Sequence, residues 1–356
     1  SGEVLDVVIT GPDPYGEGDL AVDTIRNRLY AVNPDDNTTT ILDASSLAVV
    51  EKLQIAGQLA LDEEGGRVYI AASGGLRSLD ASTYEVVGQV FMGYSPRFLA
   101  LAVDAENDRV YLAYEDQDGY FLAQYDAATL APLVAYALPG RIYDLLPDPK
   151  RGQVYVTLDD GERGLFWTLD DDGSLVDEQV LGEWTNRALL ALDPEGDRLL
   201  LGRDIYGDYG ITVLDPGTGR ELDNLPLDQA PNGLVWDGAS GRLLASHTYV
   251  HQVSVVDLES GKVAAVWPTA LDLVDLELDA GRGHLYITDS AGRLRVLDSE
   301  SDVVLAWLAG EGRISVDSPH GRLYTGGRGA SQVRVFDSDR LQQTGEIETR
   351  AVPVAD

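Results

Sequence analysis

The sequence predicts an all-β fold, an eight-bladed β-propeller with four antiparallel strands per blade, and three recurrences lead there. An apolar strand ending in aspartate appears eight times, at Asp23, Asp62, Asp104, Asp148, Asp193, Asp237, Asp279 and Asp317. The spacings are 39, 42, 44, 45, 44, 42 and 38 residues. A further strand ends in a second recurring aspartate, at Asp43, Asp80, Asp126, Asp170, Asp215, Asp257, Asp298 and Asp337. Between the two lies a short turn and a strand of one repeating type. A period near 40 to 45 residues is that of propeller blades, small sheets that bury their faces against like neighbours.

The first strand of each unit carries the apolar run before the first aspartate. The second reads RLYAV from Arg28, RVYIA from Arg67, RVYLA from Arg109, QVYVT from Gln153, RLLLG from Arg198, RLLAS from Arg242, HLYIT from His284 and RLYTG from Arg322. These runs are rich in β-branched and aromatic residues, as strands packed on both faces should be. The third strand ends at the second aspartate, and an outer fourth strand follows, as in VVEKLQI from Val49 or KVAAVW from Lys262. Aspartate at a strand end accepts hydrogen bonds from backbone N–H groups of the next turn, with Gly or Asn supplying positive φ. That is the role expected for all sixteen.

The chain is therefore expected to be one propeller domain over residues 1–356, with blades at about 19–57, 58–93, 97–140, 141–183, 187–229, 232–269, 273–309 and 313–349. Outer-strand candidates exceed the blades by one, because residues 3–10 (EVLDVVIT) also fit. An open sheet edge is a liability that ring closure removes. The N-terminal strand is accordingly expected to close the last blade, with residues 341–356 peripheral.

Sixty acidic residues stand against 26 basic ones, a formal charge of -34, and only Lys52, Lys150 and Lys262 are lysines. Nucleic acid and anionic bilayers are excluded as general partners, since both are bound through clustered Lys and Arg. Cysteine is absent, which excludes disulfides, thiolate metal sites and a cysteine nucleophile. No apolar run approaches the ~18 residues of a membrane-spanning helix, so no membrane insertion is expected. The first residues, Ser1-Gly2-Glu3, lack a signal-peptide pattern.

The repeats resemble those of YVTN-type surface-layer and quinoprotein-like propellers. The first likeness rests on YAVN at Tyr30–Asn33, YVTL at Tyr155–Leu158 and YITD at Tyr286–Asp289. The second rests on VLDPGTGREL from Val213, VVDLESGKVAAVW from Val255 and VLDSESDVVLAW from Val296. These motifs are specific for blade packing and weak for function. Quinoprotein dehydrogenases are longer, with large insertions and often a vicinal disulfide, features this chain lacks. Resemblance to the eight-bladed periplasmic scaffold of the outer-membrane barrel-assembly machinery implies a cofactor-free binding protein.

Chemistry-bearing motifs are sparse. There is no GxSxG elbow, no phosphate loop and no dinucleotide fingerprint in a strand-to-helix setting. His247 and His251 have a spacing that two metal ligands could use, yet no third ligand lies nearby in sequence. Asp116-Gln117-Asp118-Gly119, Asp159-Asp160-Gly161 and Asp170-Asp171-Asp172-Gly173 offer oxygen ligands of the kind calcium takes, but they read first as turns. No cofactor is expected, calcium being the one weak exception.

One pattern stands out in so acidic a chain. Arginine recurs where the chain enters a first strand, at Arg97, Arg141, Arg187 and Arg313, with Asn232 at the matching place of the sixth blade. Tyr94, Tyr143 and Trp184 accompany them, and Arg203, Tyr206, Tyr209 and Tyr249 fall in loops of the same face. Together they are expected to line a funnel for a small anionic or carbonyl-rich ligand, or for a partner protein's acidic or extended segment, because Arg binds such groups bidentately and stacks. The expected function is a non-catalytic ligand- or protein-binding scaffold, extracellular or periplasmic after removal of a targeting segment. The alternative is a lactonase-like or quinoprotein-like enzyme using the same funnel.

Overall fold

The structure, a computed structural model, describes residues 8–10, 20–93, 96–183, 185–193, 197–205, 208–237, 240–247, 250–269, 272–326 and 332–348, with backbone alone for 8–10, 185–187 and 205. The recurring aspartates set its local geometry. After the first strands, Arg26 N donates to Asp23 Oδ1 at 2.8 Å, Gly65 N to Asp62 Oδ1 at 2.7 Å and Asn107 N to Asp104 Oδ1 at 3.0 Å. After the third strands, Ser46 N donates to Asp43 Oδ1 at 2.9 Å, Thr218 N to Asp215 Oδ1 at 2.8 Å and Ser301 N to Asp298 Oδ1 at 2.7 Å. The fourth residue takes positive φ in most of these turns, as at Asn27, Gly66 and Gly152 in the first family and Leu47, Tyr84 and Leu130 in the second; after Asp170 it is the third, Gly173. Leucine there bears a backbone cost of about 1 kcal/mol. Leu47 offsets it by burial in a cluster with Tyr324, Val333 and Val335 of the eighth blade.

These turns make stability acid-sensitive. Asp43 is held below the usual carboxylate range chiefly by the Ser46 N–H, Asp126 by the Thr129 hydroxyl and Asp215 by the Thr218 hydroxyl. A carboxyl whose folded pKa is depressed contributes stability that is present above its unfolded value of ~3.9 and is lost as pH falls through the folded one. Denaturant midpoints are therefore expected to drop below about pH 4. A profile flat from neutrality into that range would contradict this.

Thirty-three strands follow among the described residues. β1 is Val8–Thr10. The first blade is β2 (Leu20–Asp23), β3 (Arg28–Asn33), β4 (Thr38–Asp43) and β5 (Val49–Leu53). The second is β6 (Gly57–Asp62), β7 (Arg67–Ala72), β8 (Gly75–Asp80) and β9 (Val86–Phe91). The third is β10 (Arg97–Asp104), β11 (Arg109–Asp116), β12 (Gly119–Asp126) and β13 (Pro132–Leu138). The fourth is β14 (Arg141–Asp148), β15 (Gln153–Asp159), β16 (Arg163–Asp170) and β17 (Leu175–Glu183). The fifth is β18 (Thr185–Leu192), β19 (Leu199–Ile205), β20 (Asp208–Leu214) and β21 (Glu221–Pro226). The sixth is β22 (Gly233–Asp237), β23 (Arg242–His247), β24 (Gln252–Asp257) and β25 (Lys262–Pro268). The seventh is β26 (Leu273–Asp279), β27 (His284–Asp289), β28 (Arg293–Asp298) and β29 (Val304–Ala309). The eighth is β30 (Arg313–Asp317), β31 (Arg322–Gly326), β32 (Gln332–Asp337) and β33 (Gln342–Glu348). Each blade is a sequential meander, so the fold is the all-β, eight-bladed propeller with four antiparallel strands per blade.

The chain forms two compact units: unit 1 comprises residues 1–14 and 92–273, unit 2 residues 15–91 and 274–356. In each, the core lies between successive blades. Unit 1 buries Tyr155 and Phe166 of the fourth blade with Leu189, Leu200 and Ile211 of the fifth and Leu234 and Leu243 of the sixth. In unit 2, Tyr286, Leu294 and Val296 of the seventh blade pack with Ile314, Leu323 and Phe336 of the eighth.

The second strands are buried almost end to end, and their tyrosines Tyr30, Tyr69, Tyr155, Tyr286 and Tyr324 are among the largest fully buried side chains. A buried phenol needs a partner. Tyr155 Oη lies 2.8 Å from Asp148 Oδ2 and 2.9 Å from the carbonyl of Pro216 in the next blade. Tyr324 Oη donates to Ala44 O at 2.7 Å, tying the eighth blade to the first within unit 2.

One expectation is corrected. The N-terminal strand does not close the last blade; β33 does, pairing with β32 from Gln332↔Glu348 to Asp337↔Gln342. With that edge already filled by seven residues of the same meander, β1 adds instead to β22 and makes the sixth blade five-stranded. The eighth blade is joined to the first by side chains: Tyr324 as above, and Arg322 Nη1, which donates to Asn27 Oδ1 at 2.6 Å.

Candidate functional site

The predicted funnel residues occupy unlike settings. Tyr94, Trp184, Tyr206 and Tyr249 lie outside the described residues, and for Arg187 only the backbone is described. Arg97, Arg141, Tyr143 and Asn232 belong to unit 1, where Asn232 N donates to Ser246 O at 2.7 Å. Arg313, in unit 2, stands four residues ahead of Asp317, whereas Arg97 and Arg141 stand seven ahead of Asp104 and Asp148. It is correspondingly enclosed, with 9% of its surface exposed and Nη1 3.6 Å from Oδ1 of the buried Asp275.

The third, fourth and fifth blades share a construction. In each, the first strand carries a one-residue register shift near its start, between Phe98 and Ala100, Ile142 and Asp144, and Thr185 and Arg187. The described first strands of the first, second, sixth and eighth blades pair with their second strands without a shift. A bulge bends its strand and re-aims a side chain. Here it accompanies an arginine set opposite a carboxylate residue at the end of the second strand: Arg97↔Glu115, Arg141↔Asp159 and Arg187↔Asp204.

Where side chains are described, these groups form a continuous strip. Arg97 Nη1 is 3.6 Å from Glu115 Oε2, with nearly half of the arginine side chain exposed. The Arg141 guanidinium lies 6.0 Å from the centre of the Tyr143 ring, at the outer range of a cation–π contact. Tyr143 is itself the bulged residue of β14. Its phenol pKa is raised, first by burial and then by the charges of Asp159 and Asp204, against the opposing pull of Arg141. Tyr120 is raised by burial and by Glu115, against Arg141 and Arg97. Tyr114 stacks on Phe121 with centroids 5.3 Å apart. Both tyrosines thus stay protonated as donors, between fixed cations and carboxylates. The strip can orient an anionic or hydrogen-bonding chain and has flat aromatic faces to stack on.

Other residues raised by the sequence are otherwise engaged. Arg203 is buried, its Nη1 donating to Asp208 Oδ2 at 2.7 Å and its Nη2 to Asn224 Oδ1 at 2.6 Å, bracing the fifth blade. His247 is buried with Nδ1 3.0 Å from Ala230 O and Nε2 2.9 Å from Ser254 Oγ. A carbonyl can only accept, so Nδ1 carries the proton and Nε2 receives the serine hydroxyl. Burial lowers the pKa of this histidine, keeping it neutral. His251 instead pairs with Asp272, Nδ1 to Oδ1 3.1 Å. The acidic clusters cap their own turns: Asp118 N donates to Asp116 Oδ1, Gly161 N to Asp159 Oδ1 and Ser174 N to Asp172 Oδ1.

The carboxylates Glu115, Asp159 and Asp204 are the part of the strip that sequence reasoning missed. Counting back from each hairpin would bring them near the arginines, but the bulge displaces the count by one. A single-residue shift moves a side chain to the opposite face.

Comparison with solved structures adds the fold. The structure of dihydro-heme d1 dehydrogenase NirN in complex with DHE matches with a TM-score of 0.74 and 18% identity, over 91% of this chain and 73% of that one. The computationally designed Ika8 protein matches at 0.70 and 14%, over 92% and 97%. BamB from Moraxella catarrhalis matches at 0.63 and 14%, over 90% and 96%. At these identities the likeness is one of fold. No curated protein matches by sequence. Residues 72–305 match the profile of a quinoprotein-like propeller family described as outer membrane protein assembly factor BamB. That stretch covers well over half of the chain and runs from the second blade through the seventh, so the chain belongs to this family.

Proposed function

We propose that the protein is a non-catalytic binding scaffold, extracellular or periplasmic, that receives an extended acidic or carbonyl-rich segment of a partner protein on the arginine–tyrosine strip of the third to fifth blades. The observation that carries this reading is the repeated bulge, which sets Arg97, Arg141 and Arg187 opposite carboxylates in three consecutive blades. A carboxylate beside a guanidinium restrains it, as Glu115 does 3.6 Å from Arg97 Nη1, and a restrained arginine is preorganised for carbonyl or carboxylate groups. In a body of charge -34, the three arginines of that strip temper the repulsion that an anionic segment meets. The family description as an assembly factor favours a protein partner over a small molecule, and an outer-membrane setting favours a place outside the cytoplasm.

The test uses short extended synthetic peptides, acidic, neutral and basic, measured by fluorescence polarisation. Acidic peptides are expected to bind, with affinity falling as salt rises. Replacing Arg97, Arg141 and Arg187 with alanine is expected to weaken binding at least about tenfold per arginine lost. Unchanged affinity in the triple variant, or equal binding of basic peptides, overturns the reading. A stoichiometric organic cofactor or metal recovered with the purified protein would replace it with an enzymatic one.

A further inference from the structure

Four arginines of the predicted funnel have described side chains, and three of them are already paired. Arg97 Nη1 faces Glu115 Oε2 at 3.6 Å, Arg203 Nη1 faces Asp208 Oδ2 at 2.7 Å and Arg313 Nη1 faces Asp275 Oδ1 at 3.6 Å. Arg141 differs. It is partly exposed, its Nε is buried without a hydrogen-bond partner, and among the described residues its guanidinium has neither a hydrogen bond nor an ion pair.

The reason is local. Asp159 stands opposite Arg141 in the register of β14 and β15, yet its Oδ1 accepts the N–H of Gly161 and so caps its own hairpin. Glu115, the matching residue of the third blade, stays with its arginine. An arginine that keeps no carboxylate in a chain of charge -34 leaves its planar fork open to one from outside. Its backbone is also held in place. Gly140, immediately before it, packs so closely on the end of β15 that a Cβ there would collide with the carbonyl oxygen of Asp159. The open fork is therefore presented from a fixed point beside the Tyr143 ring, 6.0 Å from its centre.

The surroundings restrict what can bind. Tyr143 feels the charges of Asp159 and Asp204, and Tyr120 feels those of Glu115 and Arg97 besides Arg141. Three carboxylates around one open guanidinium oppose an incoming dianion more than a single charge.

We propose that Arg141 is the anchor of the strip, a receptor for one carboxylate group, held bidentately on the guanidinium and selected over dianionic phosphate. That the carboxylate belongs to a protein rests on the scaffold reading above; the open guanidinium does not.

Acetate and inorganic phosphate probe the group itself. With isotope-labelled arginine read by NMR, acetate is expected to shift the Arg141 Nε–H resonance saturably, with a midpoint roughly tenfold or more below that for Arg97. Phosphate in alkaline solution, where it is dianionic, is expected to shift it less. In the peptide assay, Arg141→Ala is expected to cost about a hundredfold in affinity against about tenfold for Arg97→Ala, and Arg141→Lys to recover less than about tenfold of the loss, because lysine lacks the fork. The melting temperature of Arg141→Ala should match or exceed that of the parent, since no partner is lost, whereas a residue that braced the blades would lower it. Among the acidic peptides, loss of binding on amidating the end assigns the terminal carboxylate to Arg141, and loss on exchanging glutamate for glutamine assigns a side chain.

An Arg141 resonance that acetate leaves unmoved, or that phosphate moves more strongly, overturns the proposal. So does full recovery in Arg141→Lys. Acidic peptides that bind Arg141→Ala undiminished but fail on Arg97→Ala overturn it too, and leave the scaffold reading intact. Acetate binding at Arg141 without affinity for any acidic peptide has the opposite meaning: the carboxylate site stands and the protein partner falls.

Discussion

Replacing Arg313 with alanine is expected to lower the free energy of unfolding by about 3 to 5 kcal/mol, the range for stripping a buried ion pair of one partner. Arg313 is almost enclosed, and Asp275 is 4% exposed. One carboxylate oxygen, Oδ2, accepts the N–H of Ile314 from the next blade at 2.8 Å, while Oδ1 faces the guanidinium. Without the arginine, a carboxylate would remain in the gap between the seventh and eighth blades with only the backbone N–H groups of Ile314 and Leu276 for compensation. Burial already raises the pKa of Asp275, and Arg313 is the first influence pulling it back. In the variant that pull is gone, so the folded state holds its proton to higher pH. Such a group favours the folded state below its unfolded pKa and loses that contribution as pH rises towards the folded value. The defect of Arg313→Ala should therefore shrink as the solution is acidified from neutrality towards about pH 5, above the range where the turn aspartates begin to titrate. Adding Asp275→Asn, which keeps an acceptor for Ile314 and removes the charge, should restore part of the loss. Denaturant unfolding at two pH values measures all of this, and a change below about 1 kcal/mol would show that the pair is dispensable.

Tyr155→Ala is expected to cost about 3 to 5 kcal/mol, and Tyr155→Phe about 1 to 2. The ring is fully buried and stacks on Phe166 with centroids 6.0 Å apart, so alanine opens a cavity in the core shared by the fourth to sixth blades. Phenylalanine keeps the packing and removes only the hydroxyl. That leaves the Pro216 carbonyl without this donor, whereas Asp148 Oδ2 retains Arg151 Nη1 at 3.0 Å. The difference between the two variants separates packing from the interblade hydrogen bond. Equal losses would mean that the hydroxyl supplies all of the contribution.

The same tyrosine marks how far the sequence could be read. Its place at the third position of the second strand is visible in QVYVT, as are Tyr30, Tyr286 and Tyr324 in their own blades. Its reach to Pro216, 61 residues along the chain, is not. Arg313 gives a like lesson. By sequence it belongs with Arg97 and Arg141; yet it enters its strand three residues closer to the closing aspartate, and that difference carries it from a half-exposed strip into a buried pair. The family match adds support for a quinoprotein-like propeller, which the runs from Val213, Val255 and Val296 resemble.

The order of strands, the count of blades and the turn after each aspartate were determined by the sequence alone, because that chemistry is local. A carboxylate that accepts N–H groups two and three residues ahead, followed by a residue able to take positive φ, needs no distant partner. The tertiary structure decided the rest: which first strands bulge, which carboxylate faces which arginine, which side chains join the eighth blade to the first, and where residues 8–10 dock. Each of these depends on register or on contacts between segments about forty or more residues apart, and a shift of one residue reverses the face on which a side chain stands.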